Sequence, residues 1–398
     1  MSKWDFSTLK DITTCMCDGN WIESKDQSVE GIRLVQTGNI GEGIYLDKPN
    51  HAKFISDETF SRLKCTEVFR GDVLVSRLPT PVGRACLLPH SNTRMVTAVD
   101  CTIIRFNKGK FLPEYFIYFS MSTNYLSQVN KHLAGSTRVR ISRKNLESII
   151  VPLPPLETQK LIAQTLDTAA ELLAMRKQQL AELDNLIKST FYDMFGDVAT
   201  NEKKWEVEKL GNISGVQGGL QVTSKRVENS IELPYLRVAN VYRDLLDLRE
   251  IKMIKVTEAE AEKVCLVKGD ILIVEGHGNP TEIGRSAVWD ASIQPCLHQN
   301  HLIRVRVDTN FALPIFISHY INSPSGKQQM FKVGKTTSGL NTISTKNVKE
   351  TFVVLPPLPL QTQFAEIVTQ IEAQKALVKK AIDETQTLFD SLMSEYFD

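Results

Sequence analysis

A chain of 398 residues has room for two to three domains that each bury a core, and 42% hydrophobic with 23% charged residues excludes a disordered chain. Seven scattered cysteines without a secretory leader point to reduced thiols and a cytoplasmic location rather than a disulfide framework, and no apolar run approaches the roughly 18 residues of a membrane span. The net charge of +1 speaks, as a sum, against a dedicated polyanion binder, so its distribution along the chain carries more information.

In chain order, a short strand is predicted at 32–35, then a Gly71-Asp72 turn feeds a strongly apolar β run, Val73-Leu74-Val75. A polar loop with glycine and proline follows from Arg77 to Arg84, then a strand at 101–106 and a helix opening near Pro113. The segment closes on Val151-Pro-Leu-Pro-Pro-Leu156, a stiff extended exit. Beyond Glu157-Thr158-Gln159 about 36 residues run to Phe195 without proline or glycine, which reads as one long helix. Leu166, Leu173, Leu180, Ile187 and Met194 recur every seven residues along it, with Ile162, Ala169 and Leu183 at the companion position.

The chain then repeats itself. Trp4 and Leu9 return as Trp205 and Leu210, Asn39-Ile40 as Asn240-Val241, and Val82-Gly83-Arg84 as Ile283-Gly284-Arg285, all 201 positions on. Gly269-Asp270 leads into Ile271-Leu272-Ile273, a helix is predicted near Pro314, and Leu355-Pro-Pro-Leu-Pro-Leu360 precedes a second helix to Asp398. In that helix Phe364, Ile371, Val378 and Leu392 share one heptad position and Ile367, Ala381 and Leu388 the other. A period this long means two globular units in tandem rather than a solenoid. Two such helices in one chain pack most simply against each other, antiparallel, each about 50 Å long at 1.5 Å per residue. Arg176 and Gln374 interrupt the inner positions; they are expected to reach solvent, with a role in setting register as the alternative.

Charge is patterned with the same repeat. No acidic residue lies between Glu114 and Glu147, where Lys131, Arg138, Arg140, Arg143 and Lys144 fall, and none between Asp308 and Glu350, where Lys327, Lys332, Lys335, Lys346 and Lys349 fall. Cations mixed with short polar side chains suit a phosphate backbone. Base edges are read by Arg, Lys, Asn, Gln, Ser and Thr on loops that can enter a groove. The first copy offers Gln36, Thr37, Asn39, Arg77, Thr80, Arg84, Ser136, Thr137, Arg138 and Arg140. Its second copy offers Gln217, Gln221, Thr223, Arg237, Asn240, His277, Asn279, Thr281, Arg285, Lys335, Thr336, Thr337, Ser338 and Asn341.

Other chemistry fails on inspection. Gly334-Lys335-Thr336 resembles the end of a phosphate-binding loop, but the earlier glycine position holds Gln329. Cys296, His298 and His301 lack a second pair at metal spacing and read as a core cysteine with polar surface histidines. Cys15 and Cys17 alternate as on a strand, and no Asn-Pro-Pro-Tyr or Asp-Pro-Pro-Tyr segment of a methyltransferase occurs. Glu275 with His277 is the least implausible acid-base pair for a hydrolase.

Two variable halves, each ending in Ile141-Ser-Arg-Lys-Asn-Leu146 or Ile343-Ser-Thr-Lys-Asn-Val348, a proline exit, a Leu-Glu-Thr-Gln or Leu-Gln-Thr-Gln step and a long helix, resemble the specificity subunit of type I restriction-modification enzymes. The resemblance covers essentially the whole chain. It implies a mixed α/β fold with two similar target-recognition domains, 1–155 and 198–359, separated by antiparallel spacer helices at 156–197 and 360–398. It further implies a non-catalytic subunit that reads a bipartite double-stranded DNA site. Partner methyltransferase subunits would carry S-adenosylmethionine, and restriction/translocase subunits would use ATP and Mg, with no cofactor or metal in this chain. Against this, two residues inserted in the second proline segment would put strict two-fold equivalence of the halves in doubt. The competing reading is a stand-alone adaptor whose domains bind protein and whose coiled coil dimerises.

Overall fold

The computed structural model describes residues 4–135, 139–333, 335–337 and 340–398. They form two compact units, one of residues up to Gln178 together with Lys379–Asp398, the other of Gln179–Val378. Each is mixed α/β and is built by the same steps.

In the first unit the strands Thr13–Asp18, Cys101–Phe106, Val73–Ser76 and Ala85–Leu87 make an antiparallel sheet in that order. Alternate side chains enter different cores: Val73, Val75, Ile104 and Phe106 pack with the helices Pro113–Phe119 and Thr123–Lys131, while Leu74, Cys101 and Ile103 pack with Val35, Val68 and Met95. A sheet covered on both faces explains why its central strand is an uninterrupted apolar run. The second unit repeats the order with Ser214–Gly218, Leu302–Val307, Ile271–Val274 and Ser286–Val288. A second small sheet backs each one. In it Ile32–Val35 runs antiparallel to Lys53–Ile55 and parallel to Met95–Thr97, and Ile231–Leu236 pairs likewise with Lys252–Val256 and Leu297–His298.

The Gly-Asp steps are turns, as expected, and they do more than turn. Gly71 and Gly269 take φ of 85° and 92°, in the left-handed region that favours glycine. Asp72 and Asp270, both buried, accept the backbone N–H of Phe69 at 3.0 Å and of Val267 at 2.8 Å. Each also takes a two-pronged ion pair, Asp72 from Arg105 and Asp270 from Arg306. The turn is thereby tied to the neighbouring strand in both copies.

Each copy is closed by its own ends, Asp5–Thr8 pairing with Ile150–Leu153 and Glu206–Lys209 with Phe352–Leu355. The long helices then span Leu156–Phe195 and Leu358–Phe397, 40 residues each, or about 60 Å at 1.5 Å per residue. Their starts correct the sequence alignment of the proline exits. Fully buried Gln159 accepts from the Leu112 N–H and donates to the carbonyls of Lys110 and Pro154, and fully buried Gln361 does the same with Leu313, Phe311 and Pro356. Gln159 therefore corresponds to Gln361, not to Gln363, and the second exit has no inserted residues. Pro359 sits in the first turn of its helix, where a missing N–H costs nothing.

Within each unit the two helix segments run antiparallel. In the first, Ile162 and Leu166 share a core with Met393 and Phe397, and Phe397 packs on Tyr115 at 5.2 Å between ring centroids. In the second, Phe195 packs on Phe316 at 4.7 Å and Phe191 on Phe364 at 5.5 Å. The heptad of the first helix holds as expected. In the second the companion position lies one residue later: Val368 is buried and Lys375, Ile382 and Phe389 are half-buried, whereas Gln374 and Leu388 are exposed. The sequence is degenerate here, because Ile367-Val368, Ala381-Ile382 and Leu388-Phe389 each offer two apolar residues. Arg176 is half-buried and bridges the seam, donating to the Ala381 carbonyl at 2.6 Å and to the Thr385 hydroxyl, which fits the register-setting reading.

Candidate nucleic-acid interface

Strand directions bring the loops of each copy to one edge. In the first unit Asp18 and Ser76, at strand ends, pair with Thr102 and Cys101 at the start of their neighbour. Backbone hydrogen bonds then stitch the loops together: Gly19 N–H to Cys101 O, Asn20 N–H to Thr97 O, Ala98 N–H to Val35 O, Arg77 N–H to Asp100 O and Ile141 N–H to Arg77 O. Loops near residues 19–22, 36–41, 77–84, 98–100 and 139–141 thus share a rim. The second unit makes the equivalent rim, with Leu220 N–H to His298 O, Gln299 N–H to Leu236 O, Glu275 N–H to His301 O and Ile343 N–H to Glu275 O.

Several candidate readers are used to hold this rim. Arg84, buried, donates to four carbonyls, those of Ile40, Leu78, Pro81 and Thr37. Arg285, also buried, donates to Glu282 and to the Val238 carbonyl and lies over the Tyr242 ring. Asn39 accepts from the Gln36 N–H and donates to Leu46 O; Asn240 accepts from the Arg237 N–H and donates to Asp247 O and Glu250 O. Arg77 is engaged by Val99 O at 2.7 Å and Asp18 at 3.4 Å, Arg237 by Glu250 at 3.1 Å, and Gln217 accepts from Arg304. These side chains close turns and loops of the rim. A side chain whose donors are spent on buried carbonyls has little left to offer a base.

Thr80, Arg140, Gln221, Thr223, Asn279 and Thr281 stand exposed on the rims, and Gln36, Thr37 and His277 are half-buried there. Asn279 accepts from the Thr281 N–H and hydroxyl, and His277 Nδ1 accepts from the Asn279 N–H, so this loop is internally braced. The backbone of Lys335, Thr336, Thr337 and Asn341 lies in a hairpin that joins Gly276–His277, bringing it to the second rim; their side chains lie outside the described residues. Ser136, Thr137, Arg138 and Ser338 lie outside the described residues altogether.

Catalytic readings find little in the electrostatics. Burial raises the Glu275 carboxyl, but its partner is His301 at 3.6 Å, not His277. His298 is buried, not on the surface as expected, and Cys296 beside it is pushed up to about 12 by burial. Burial likewise raises Cys17 to about 11, unlike an activated thiol. Among the described residues no three His, Cys, Asp or Glu side chains gather as a metal site would need, and no helix is long and apolar enough to cross a membrane.

Residues 1–185 and 202–386 each match the family model of the type I restriction modification DNA specificity domain. The chain belongs to that family and carries its domain twice. It is 27% identical over 313 residues to the type I restriction enzyme EcoKI specificity subunit of Escherichia coli K12, covering 75% of this chain and 67% of that one. It is 26% identical over 298 residues to the StySPI specificity subunit of Salmonella potsdam, covering 71% and 64%. The matched stretch therefore spans about two thirds of these relatives. A solved chain from a type I R-M system, described for its complex assembly and conformational transition, superposes with a TM-score of 0.62 at 17% identity over 99% of this chain and 97% of that one, which shows the shared fold. The family is one of DNA-recognition subunits, not catalytic ones, and the adaptor reading finds no support. Within each unit, moreover, the seams on which that reading would dimerise are filled by the chain's own helices.

Proposed function

We propose that each domain presents its rim to one half of a bipartite double-stranded DNA target. The observation that carries this reading is the doubled rim. Its bracing residues are the same in both copies, Asn39 with Asn240 and Arg84 with Arg285, and Thr80 matches Thr281, while other rim residues differ, Arg140 against Thr342 and Leu78 against Asn279. Equal frames with unequal readers fit an asymmetric site of two different halves. The chain directs chemistry that it does not perform: methyltransferase subunits bearing S-adenosylmethionine act at the site it selects, and restriction/translocase subunits using ATP and Mg cut DNA lacking the methyl mark. All of this takes place in the cytoplasm.

Methylome sequencing of cells with and without the gene tests the reading. One bipartite methylated motif should vanish on deletion and return on complementation. An unchanged methylome in a strain that carries the partner subunits would overturn it.

A further inference from the structure

The turn that follows the first strand of each sheet is the same device in both copies. Gly19 and Gly219 lie so close to the opposing backbone that a Cβ would meet the Thr97 and Ala98 carbonyls, or the His298 and Gln299 carbonyls, at 2.3–2.4 Å. Four residues on, Glu23 and Thr223 each open a 3-10 helix, Ser24–Asp26 and Ser224–Glu228. Ser24-Lys25 and Ser224-Lys225 are identical. The next residue confirms the pairing through a reversed charge: Asp26 bonds Arg62 at 2.6 Å, and Arg226 bonds Glu260 at 2.9 Å. The turns are therefore in register at an offset of 200, which sets Trp21 opposite Gln221.

Trp21 is 68% exposed. A large aromatic left in solvent contributes little to folding, and Trp289, by contrast, is fully buried. Its backbone is nonetheless fixed: the preceding Asn20 accepts from the Thr66 N–H at 2.9 Å and donates to the Leu63 carbonyl at 3.3 Å. The indole N–H donates to Glu23 at 3.1 Å, and Glu23 pairs with Lys25 at 2.8 Å. A rigidly mounted, exposed ring on a rim that faces a ligand makes an anchor at low entropic cost.

We propose that this turn is a reading loop in both domains, resting on the DNA-recognition function proposed above. Trp21 makes an apolar contact with a base of the first half-site, and Gln221 makes a hydrogen-bonded contact at the equivalent place in the second. Lys25 and Lys225, common to both, lie on the phosphate backbone. Common residues position the loop; the differing ones specify the base.

The test is Trp21→Gln and Trp21→Phe in the full chain, expressed from the native locus with its partners, read by methylome sequencing and by melting of the purified chain. Trp21→Gln should weaken discrimination at one base pair of one half-site about tenfold while the other half-site stays unchanged. Trp21→Phe should keep the motif, and neither should shift the melting temperature. An unchanged motif in Trp21→Gln, altered bases in both halves, or lost methylation with lowered melting would each overturn the proposal. A wild type that methylates no bipartite motif would instead sink the underlying function.

Discussion

Burial keeps His298 neutral in the folded chain. Loss of solvation, and next the Arg304 guanidinium, push its imidazole down to about 4 from the usual 6.5, while Nδ1 lies 3.1 Å from the Val264 carbonyl. Below pH 6.5 the unfolded chain takes up a proton that the folded chain refuses, so stability is intact above that pH and falls as pH drops from 6.5 to about 4. The full loss is about 3 kcal/mol. Thr97, whose hydroxyl donates to the Val35 carbonyl, fills the matching place in the first copy and has nothing to titrate. His298→Thr should therefore lose about 2 kcal/mol less than wild type between pH 7 and pH 4.5 in urea denaturation; equal losses would mean that His298 is not the group responsible. Single residues are less legible in the sequence: Asn39 with Asn240 and Arg84 with Arg285 recur between the copies, and in the structure they brace the common frame of each rim. The exposed residues that differ, Trp21 among them, carry no repeat signal, and a screen for polar side chains passes over an indole.

Elements were more legible than residues. Uninterrupted apolar runs located the central strands, because both faces of each sheet are buried, and absence of proline and glycine located both long helices. What the pattern could not fix was phase: with two adjacent apolar residues at three of the companion positions of the second helix, only packing decides that Val368 and Phe389 face inward and Leu388 does not. The reversed ion pair was also invisible, since Asp26 and Arg226 differ in sign and lie 36 and 34 residues from their partners. It yields a prediction for the first small sheet and its helix Asp57–Leu63. Asp26→Arg alone places a second cation against Arg62 and should lower the melting temperature; adding Arg62→Glu recreates the arrangement of the second copy and should recover most of the loss. Because Asp26 is the buried partner, its side chain only 6% exposed, the single Arg62→Glu should be as harmful as Asp26→Arg. A double variant no more stable than the worse single one would show that the two bridges are not equivalent.

At the scale of the whole molecule each long helix is shared, its first half belonging to one compact unit and its second half to the other. The duplication that the sequence displays at 201 residues is thus matched by two helices of equal length in the same register, which the apparent insertion had obscured. If each domain reads one half-site and the helices set the distance between the domains, helix length sets how many unread base pairs lie between the halves. Removing one heptad from each helix keeps the apolar seam in phase, since the seam repeats every seven residues. It shortens each helix by about 10 Å, which corresponds to about three base pairs at roughly 3.4 Å per step. The methylated motif of such a variant should keep the base sequence of both halves and lose about three base pairs from its gap. Removing the heptad from one helix alone should abolish methylation, because Arg176 with Thr385 and Lys375 with Asp184 could no longer both form. A doubly shortened chain that still methylated sites with the original gap would separate helix length from target spacing, leaving the spacing to be set by partner subunits.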